Sequence, residues 1–176
     1  LALLAFCLVK KTSPLPLLHA LTLPGGLSLI LLKLGCFLNG CCFGKAASGP
    51  LGLVFPANEE VYDFLESLPL LGEINRRVYP TQLFEAAGAA LSLALVLLLG
   101  RRRKLPPGGT FLLYAFCFTL ARLLIHPLRA FAYQAWVVEI LYPAVYGLVL
   151  VAAALGLLLL KKHGNGPGPN QPPPPK

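Results

Sequence analysis

The chain lacks methionine altogether and has few charged residues. Only 12% of its 176 residues are Asp, Glu, Lys or Arg, about half the share that is usual in soluble domains, while 56% are hydrophobic. Acidic residues are the scarcest, with 7 Asp and Glu against 15 Lys and Arg. A soluble core of this length could not hide so much apolar surface. The composition therefore excludes an ordinary soluble domain and predicts a membrane protein.

The formal net charge of +8 does not by itself indicate a nucleic-acid partner. The basic residues stand in short clusters between apolar runs, an arrangement typical of contacts with anionic lipid at a cytoplasmic face. Cysteine gives no disulfide framework, because the chain has five and two of them are adjacent. Their spacing is not that of zinc ligands either. We therefore expect no metal, no cofactor and no nucleic-acid partner.

Apolar runs divide the chain into membrane-spanning segments. Residues 1–9 are apolar but too short to span, and with no methionine at position 1 we expect a first helix that has been cut short. Four longer runs follow, at 15–38, 83–99, 110–125 and about 136–160. Pro16, Pro24 and the Gly25-Gly26 pair predict that the first of these four is a kinked or broken helix.

The predicted fold class is an all-α integral membrane protein, a multi-span helical bundle of about four full spans plus the truncated first helix. Residues 1–162 would form one polytopic membrane domain. Residues 163–176 are rich in Pro and Gly, cannot bury apolar surface and are predicted to be a disordered tail. The polar loop at 45–79 is expected to carry a short surface helix at 61–70.

Basic clusters set the predicted orientation. The clusters at 10–11, 101–104 and 161–162 are separated by even numbers of spans, so all three fall on one side of the membrane. The positive-inside rule assigns this side, together with the C-terminus, to the cytoplasm. The acidic loop at 45–79 is then expected on the outer side.

Residues 33–44 place one cation, three cysteines, one asparagine and three glycines at the end of an apolar run. A segment built only to cross a bilayer would not use these residues, so we interpret it as the wall of a site. Lys33 would bind an anionic headgroup with backbone amides freed by Gly35 and Gly40. Asn39 would hydrogen-bond a polar group. The alternative is that Lys33 extends to the membrane interface and the cysteines fill space.

Residues 79–85 stand at the start of the next predicted helix. Pro80 followed by Thr81 is typical of a helix start, and Gln82 and Glu85 lie one turn apart on one face. These two side chains are candidates for a binding site. The alternative is plain capping, because the helix dipole favours an anion in the first turn.

Arg122 lies near the end of an apolar helix. An arginine inside a membrane helix requires a cavity or a partner, so its first interpretation is functional. Tyr114, eight residues earlier, and His126, four residues later, should share its face. The alternatives are an interfacial anchor and a structural ion pair with Glu85.

Arg129 follows shortly after this helix. Together with Lys33 and Arg122 it would place two or three cationic groups in the non-cytoplasmic half of the bundle. Such groups suit a phosphate ester, and the surrounding apolar bundle suits the acyl chains of a phospholipid.

These motifs, in this order, resemble those of the prolipoprotein diacylglyceryl transferase family. Residues 32–41 stand in place of its Gly-Arg-x-Gly-Asn-Phe-x-Asn-Gly-Glu signature, in a version that resembles a cysteine-rich branch. Residues 52–56 match its Gly-Val-Val-Phe-Pro-like run, and residues 79–85 match its His-Pro-Thr/Ser-Gln-Leu-Tyr-Glu motif. Arg122 and Arg129 match its Phe-Arg-x-x-x-Glu-x-x-Arg helix.

The resemblance implies transfer of a diacylglyceryl group from phosphatidylglycerol to the lipobox cysteine thiol of a prolipoprotein, in the bacterial plasma membrane. The implied partners are phosphatidylglycerol, the prolipoprotein signal peptide and the lipid bilayer. Lys33 would contact the phosphate and Arg122 would stabilise the leaving group, as the two catalytic residues. The implied substrate-binding positions are Asn39, Gly40, Gly44, Tyr79, Gln82, Glu85, His126 and Arg129.

Several positions depart from the family pattern. Lys33 replaces an arginine, Cys36 an asparagine, Cys41 a glutamate, Tyr79 a histidine and His126 a glutamate. Lysine offers a point charge where arginine offers a two-pronged hydrogen-bond donor. These substitutions favour a second hypothesis, a non-catalytic membrane homologue that binds phospholipid or prolipoprotein. A third, a cysteine-based membrane redox or metal protein, rests on the cysteines of 33–44 alone.

Overall fold

The computed structural model describes most of the chain in six stretches. These are residues 9–10, 13–47, 49–54, 77–102, 105–130 and 134–164. Of the first helix predicted at 1–9, all but residue 9 lies outside the described residues. The predicted surface helix at 61–70 and the tail from 165 onward also lie outside them.

Within the described residues the fold is built from four long helices. They are α1 (Leu15–Leu38), α2 (Thr81–Arg102), α3 (Gly109–Ile125) and α4 (Tyr142–Gly164). Each lies in a stretch long and apolar enough to cross a membrane. The all-α membrane fold with four full spans is therefore confirmed, and the helix bounds agree with the apolar runs except that α4 begins six residues later. A π-helical turn, Val137–Leu141, occupies the predicted start of that run.

Helix α1 is continuous from Leu15 to Leu38, so of the predicted kink or break the break is wrong. Pro16 lies in the first turn, where the missing N–H has no helical partner to lose. Pro24 lies inside the helix and removes one backbone hydrogen bond, which neighbouring helices can offset by packing. Gly26 provides such packing, because a Cβ there would meet Leu93 and Tyr114 at 3.0–3.4 Å.

The helices pack in a simple order. Helix α1 packs on α2, α2 on α3 and α3 on α4, and α1 also touches α3. Leu93, Val96 and Tyr114 form a buried cluster between the first three helices, with Leu29, Ile30, Leu113 and Phe118 around it. Small residues bring backbones close elsewhere, since a Cβ on Gly88 would lie 3.0 Å from Ala121 Cβ. Many outward leucines stay exposed, as expected for side chains that face lipid.

The two ends of the bundle differ. At one end Leu15, at the start of α1, lies against Gly108 beside the start of α3, and Gly156 of α4 lies against Leu112. The basic clusters at 10–11, 101–104 and 161–162 lie at or beside the helix termini on this side of the bundle. At the other end lie the loop after α1, the start of α2, the end of α3 and the π-helical turn.

Short backbone pairings lock the second end. Strands β1 (Leu53–Val54) and β2 (Arg77–Val78) form an antiparallel pair. An isolated bridge joins Ala46 to Val78, and another joins Gly44 to Arg129. The chain after α1 is thereby attached both to the start of α2 and to the end of α3.

Candidate functional site

One buried carboxylate lies at the centre of this locked end. Glu85, in the second turn of α2, exposes only 2% of its surface. Its Oε2 lies 2.5 Å from the Lys33 ammonium, and its Oε1 accepts a 2.6 Å hydrogen bond from Arg129 Nη1. Arg122 Nη1 lies 3.7 Å from Oε2. Three cations therefore surround one carboxylate, leaving a formal excess of two positive charges.

Each cation comes from a different part of the fold. Lys33 projects from the penultimate turn of α1, Arg122 from the last turn of α3, and Arg129 follows the 3-10 turn His126–Leu128. Lys33 is itself buried, at 8% exposure, and its ammonium lies against Glu85. The structural pairing of Arg122 with Glu85 is present in the geometry. Buried charges persist only when paired, and this cluster meets that condition for Lys33 and Glu85.

Gln82 and Thr81 attach α2 to the loop after α1. Gln82 Nε2 donates a 2.6 Å hydrogen bond to the carbonyl of Cys41, and Thr81 Oγ1 donates a 2.9 Å hydrogen bond to that of Cys42. Both side chains are almost completely buried. They therefore bind a neighbouring segment rather than cap their own helix. Gln82 and Glu85 do share one face, as predicted.

Gly44 lies where three segments meet. Its N–H donates a 2.8 Å hydrogen bond to the Tyr79 carbonyl, and the Tyr79 N–H donates to the Lys45 carbonyl. A Cβ on Gly44 would collide with the Leu128 carbonyl oxygen and lie 2.7 Å from Thr81 Cγ2. The structure thus gives Gly44 and Tyr79 a role in holding the site together. Their contact with a substrate stays a prediction.

The predicted cradle of free amides after Lys33 is wrong. Gly35 lies inside α1, and the Gly40 N–H donates a 3.2 Å hydrogen bond to the Phe37 carbonyl. The Asn39 N–H likewise bonds to the Gly35 carbonyl, so it ends the helix. The physical reason is that α1 continues to Leu38 and its closing turn uses these donors. The Asn39 residue is exposed, and a role for its side chain in binding stays a prediction.

His126 connects the end of α3 to the start of the last span. Its Nε2 lies 2.8 Å from the carbonyl of Val138, in the π-helical turn, and must donate because a carbonyl only accepts. Its ring packs edge-on to Tyr146 at 5.7 Å. The Arg122 guanidinium lies 6.0 Å from the centre of the same Tyr146 ring. Sequence reasoning missed Tyr146, although the tyrosines at 142 and 146 are four residues apart in an otherwise aliphatic run.

The thiol of Cys42 is not an activated nucleophile. Partial burial, followed by the neighbouring Cys41 thiol, raises the pKa of Cys42 to about 11. At neutral pH Cys42 is therefore protonated, whereas a nucleophilic cysteine needs a lowered pKa.

Comparisons with known proteins identify the family to which this chain is similar. A model of the prolipoprotein diacylglyceryl transferase family matches residues 1–160. The phosphatidylglycerol–prolipoprotein diacylglyceryl transferase 2 of Clostridium perfringens is 28% identical over 127 residues, 72% of this chain and 45% of the relative. The corresponding transferase of Clostridium tetani is 32% identical over 97 residues, 55% of this chain and 34% of the relative.

That of Cereibacter sphaeroides is 34% identical over 134 residues, 73% of this chain and 43% of the relative. The chain spans less than half the length of each of these relatives. The family match covers α1, α2, α3 and all but the last four residues of α4, and it includes every residue of the Glu85 cluster. On its four apolar spans and on this match, the chain is a multi-pass membrane protein that belongs to the prolipoprotein diacylglyceryl transferase family.

Proposed function

We propose that the Glu85 cluster binds the phosphate of phosphatidylglycerol while its diacylglyceryl group is transferred to the lipobox cysteine thiol of a prolipoprotein. The observation that carries the proposal is the set of three cations around one buried carboxylate, at the end of the bundle away from the basic clusters. The names of the relatives supply the donor and the acceptor.

The charge of the cluster suits the charge that the reaction creates. A carbon–sulfur bond forms to the glycerol carbon as the S–H bond of the thiol breaks, and the bond from that carbon to the phosphate oxygen breaks. The thiol proton goes to solvent, and the bonding electron pair leaves on the phosphate oxygen. The phosphodiester of the donor carries one negative charge, whereas the departing glycerol phosphate is a monoester of about −1.5 to −2 at pH 7. Fixed positive charge aimed at the phosphate would stabilise the transition state more than the ground state.

The three cations have different freedom to meet a phosphate. Lys33 and Arg129 bind Glu85 at 2.5 and 2.6 Å and hold it in place. Arg122 is the most exposed of the three, with 24% of its side chain accessible, and its 3.7 Å approach to Glu85 is the longest. Arg122 can therefore direct N–H groups at the edge of its guanidinium to a phosphate oxygen without breaking a short ion pair. We assign it the role of stabilising the leaving group, with Lys33 and Arg129 as supporting cations.

The site would work at the outer side of the bacterial plasma membrane. The basic clusters lie beside the helix ends of the opposite side, where the positive-inside rule favours the cytoplasm. The loop at 45–79 would then face outward and the C-terminus inward. The acceptor would reach Glu85 from this outer side, with the prolipoprotein signal peptide in the bilayer.

Transfer of labelled diacylglyceryl from phosphatidylglycerol to a lipobox peptide tests the proposal, in membranes from cells that make the protein at its natural length. Arg122→Ala should lower transfer by roughly 10²–10³-fold, the range found when one transition-state donor is removed. Lys161→Ala, an exposed cation at the other end, should leave transfer unchanged. Equal losses in both variants would mean that general surface charge, not a site, attracts the lipid.

A second candidate function is non-catalytic binding of phospholipid or prolipoprotein. One observation favours it, because the Lys33 ammonium is already committed to Glu85 where the family pattern has an arginine. A protein that binds phosphatidylglycerol through Arg122, measured by native mass spectrometry, but gives no thiol-dependent transfer would support this function instead.

A further inference from the structure

A group of three thiols lies beside the Glu85 cluster and is not part of it. The sulfurs of Cys36, Cys41 and Cys42 all lie within 4.8 Å of one another. Cys36 comes from the last turn of α1, and the other two come from the loop that follows. All three are free cysteines, two of them half-buried and Cys42 exposed.

The backbone that holds these thiols is fixed from several directions. The Cys41 N–H donates a 3.1 Å hydrogen bond to the Cys36 carbonyl, across the turn that ends α1. Thr81 and Gln82 donate to the carbonyls of Cys42 and Cys41, so α2 fixes both loop cysteines. Cys42 also has a φ of +64°, a conformation that residues with a side chain rarely adopt and that its surroundings must hold. The three sulfurs are therefore brought together by the turn that ends α1, and the hydrogen bonds from α2 hold the two loop cysteines in that arrangement.

From this geometry we propose that Cys36, Cys41 and Cys42 form a binding site for one thiophilic d¹⁰ metal ion. Thiolates are soft ligands that select copper(I), zinc and similar ions over magnesium or calcium. A metal–sulfur distance of about 2.3 Å places sulfurs around one ion about 4 Å apart. The cluster is already within reach of that spacing, so the thiols need only small rotations. Each thiol that binds gives its proton to solvent.

The chemistry of the donor set favours a three-coordinate or an open site. Three thiolates satisfy a trigonal copper(I) ion, whereas zinc would keep a fourth position for water or another ligand. The sequence-based expectation of no metal was drawn from the linear spacing of the cysteines. It took no account of the hydrogen bonds from α2 that gather them.

A titration with Cd²⁺, a spectroscopically visible thiophilic d¹⁰ ion, tests the proposal on the reduced full-length protein in detergent. We expect a sulfur-to-metal charge-transfer band that saturates at about one ion per chain. Cys36→Ser, Cys41→Ser and Cys42→Ser should each weaken binding by at least about tenfold, the lower end of the effect of perturbing a metal site. Cys117→Ser removes a half-buried thiol of α3 outside the cluster and should bind as the unaltered protein does. Copper(I), which also prefers soft thiolate ligands, should displace Cd²⁺.

A second measurement needs no variant and so does not depend on whether the serine proteins fold. Cd²⁺ should protect Cys36, Cys41 and Cys42 from maleimide, read residue by residue by mass spectrometry, and should leave the labelling of Cys117 unchanged. Three outcomes would overturn the proposal: no charge-transfer band, equal loss of binding in Cys117→Ser, or equal protection of Cys117. A disulfide within the trio in the isolated protein, with no metal bound after reduction, would assign these thiols to redox chemistry instead. The readout is independent of diacylglyceryl transfer, so either proposal can fail alone.

Discussion

At Glu85 a single carboxylate holds cations from three segments of the chain. Replacing it by glutamine keeps the side-chain shape and removes the negative charge that Lys33 and Arg129 both contact. Loss of one partner from a buried ion cluster destabilises by about 3–5 kcal/mol, so Glu85→Gln should lower the free energy of unfolding by that order. Thermal unfolding in detergent measures the effect. Glu139→Gln, at an exposed position, is the matched control, and an equal shift in both variants would contradict the prediction.

Cys42 should show a pH dependence set by its raised pKa. Its pKa rises from the ordinary 9.0 to about 11, so the thiolate fraction at pH 7 is about 10⁻⁴. Alkylation of Cys42 by iodoacetamide in the metal-free protein should therefore rise roughly tenfold per pH unit up to about pH 10. Mass spectrometry reads the modified residue, with glutathione as the reference thiol. If the alkylation rate of Cys42 instead levels off near pH 9, as the rate of glutathione does, the pKa of Cys42 is not raised.

Among the elements, the junction between the loop after α1, the start of α2 and the end of α3 depends on Gly44. Gly44→Ala forces a methyl group against the Leu128 carbonyl and the Thr81 side chain. A backbone carbonyl can move only slightly to relieve such a contact. Overpacking of this kind should destabilise by about 1–3 kcal/mol. Gly35→Ala is the matched control, because a Cβ there meets nothing within 4 Å and alanine favours a helix.

Thermal unfolding of the two variants separates this effect from a general intolerance of alanine. Gly44→Ala should also reduce transfer activity, because the bridge from Gly44 to Arg129 positions one cation of the cluster. An unfolding midpoint for Gly44→Ala equal to that of Gly35→Ala would show that the junction relaxes easily.

For the whole molecule, orientation is the property that the proposed function requires. Green fluorescent protein fused after Lys176 should fluoresce, because it folds in the cytoplasm. Alkaline phosphatase at the same position should be inactive, whereas alkaline phosphatase inserted after Gly49 should be active on the outer side. The positive-inside rule is the physical reason, since cationic segments are retained at the cytoplasmic face. The reverse pattern would place the Glu85 cluster on the cytoplasmic side.

Much of the architecture was predictable because it depends on local hydropathy. Four apolar runs became four helices, and Pro80 with Thr81 marked the start of α2. The one clear error in these elements, the expected break in α1, came from giving Pro16, Pro24 and the Gly25-Gly26 pair more weight than the packing of the helix. A single proline removes one hydrogen bond, and packing of α1 against α2 and α3 keeps the helix continuous.

The sequence by itself determined that this chain is a helical membrane protein, where its spans run, and which family its motifs resemble. Those properties follow from runs of neighbouring residues. Only the tertiary structure decided that Lys33, Arg122 and Arg129 converge on Glu85, and that three thiols lie within 4.8 Å. Glu85 and Arg129 are 44 positions apart, so their contact depends on how helices pack, which local hydropathy does not encode.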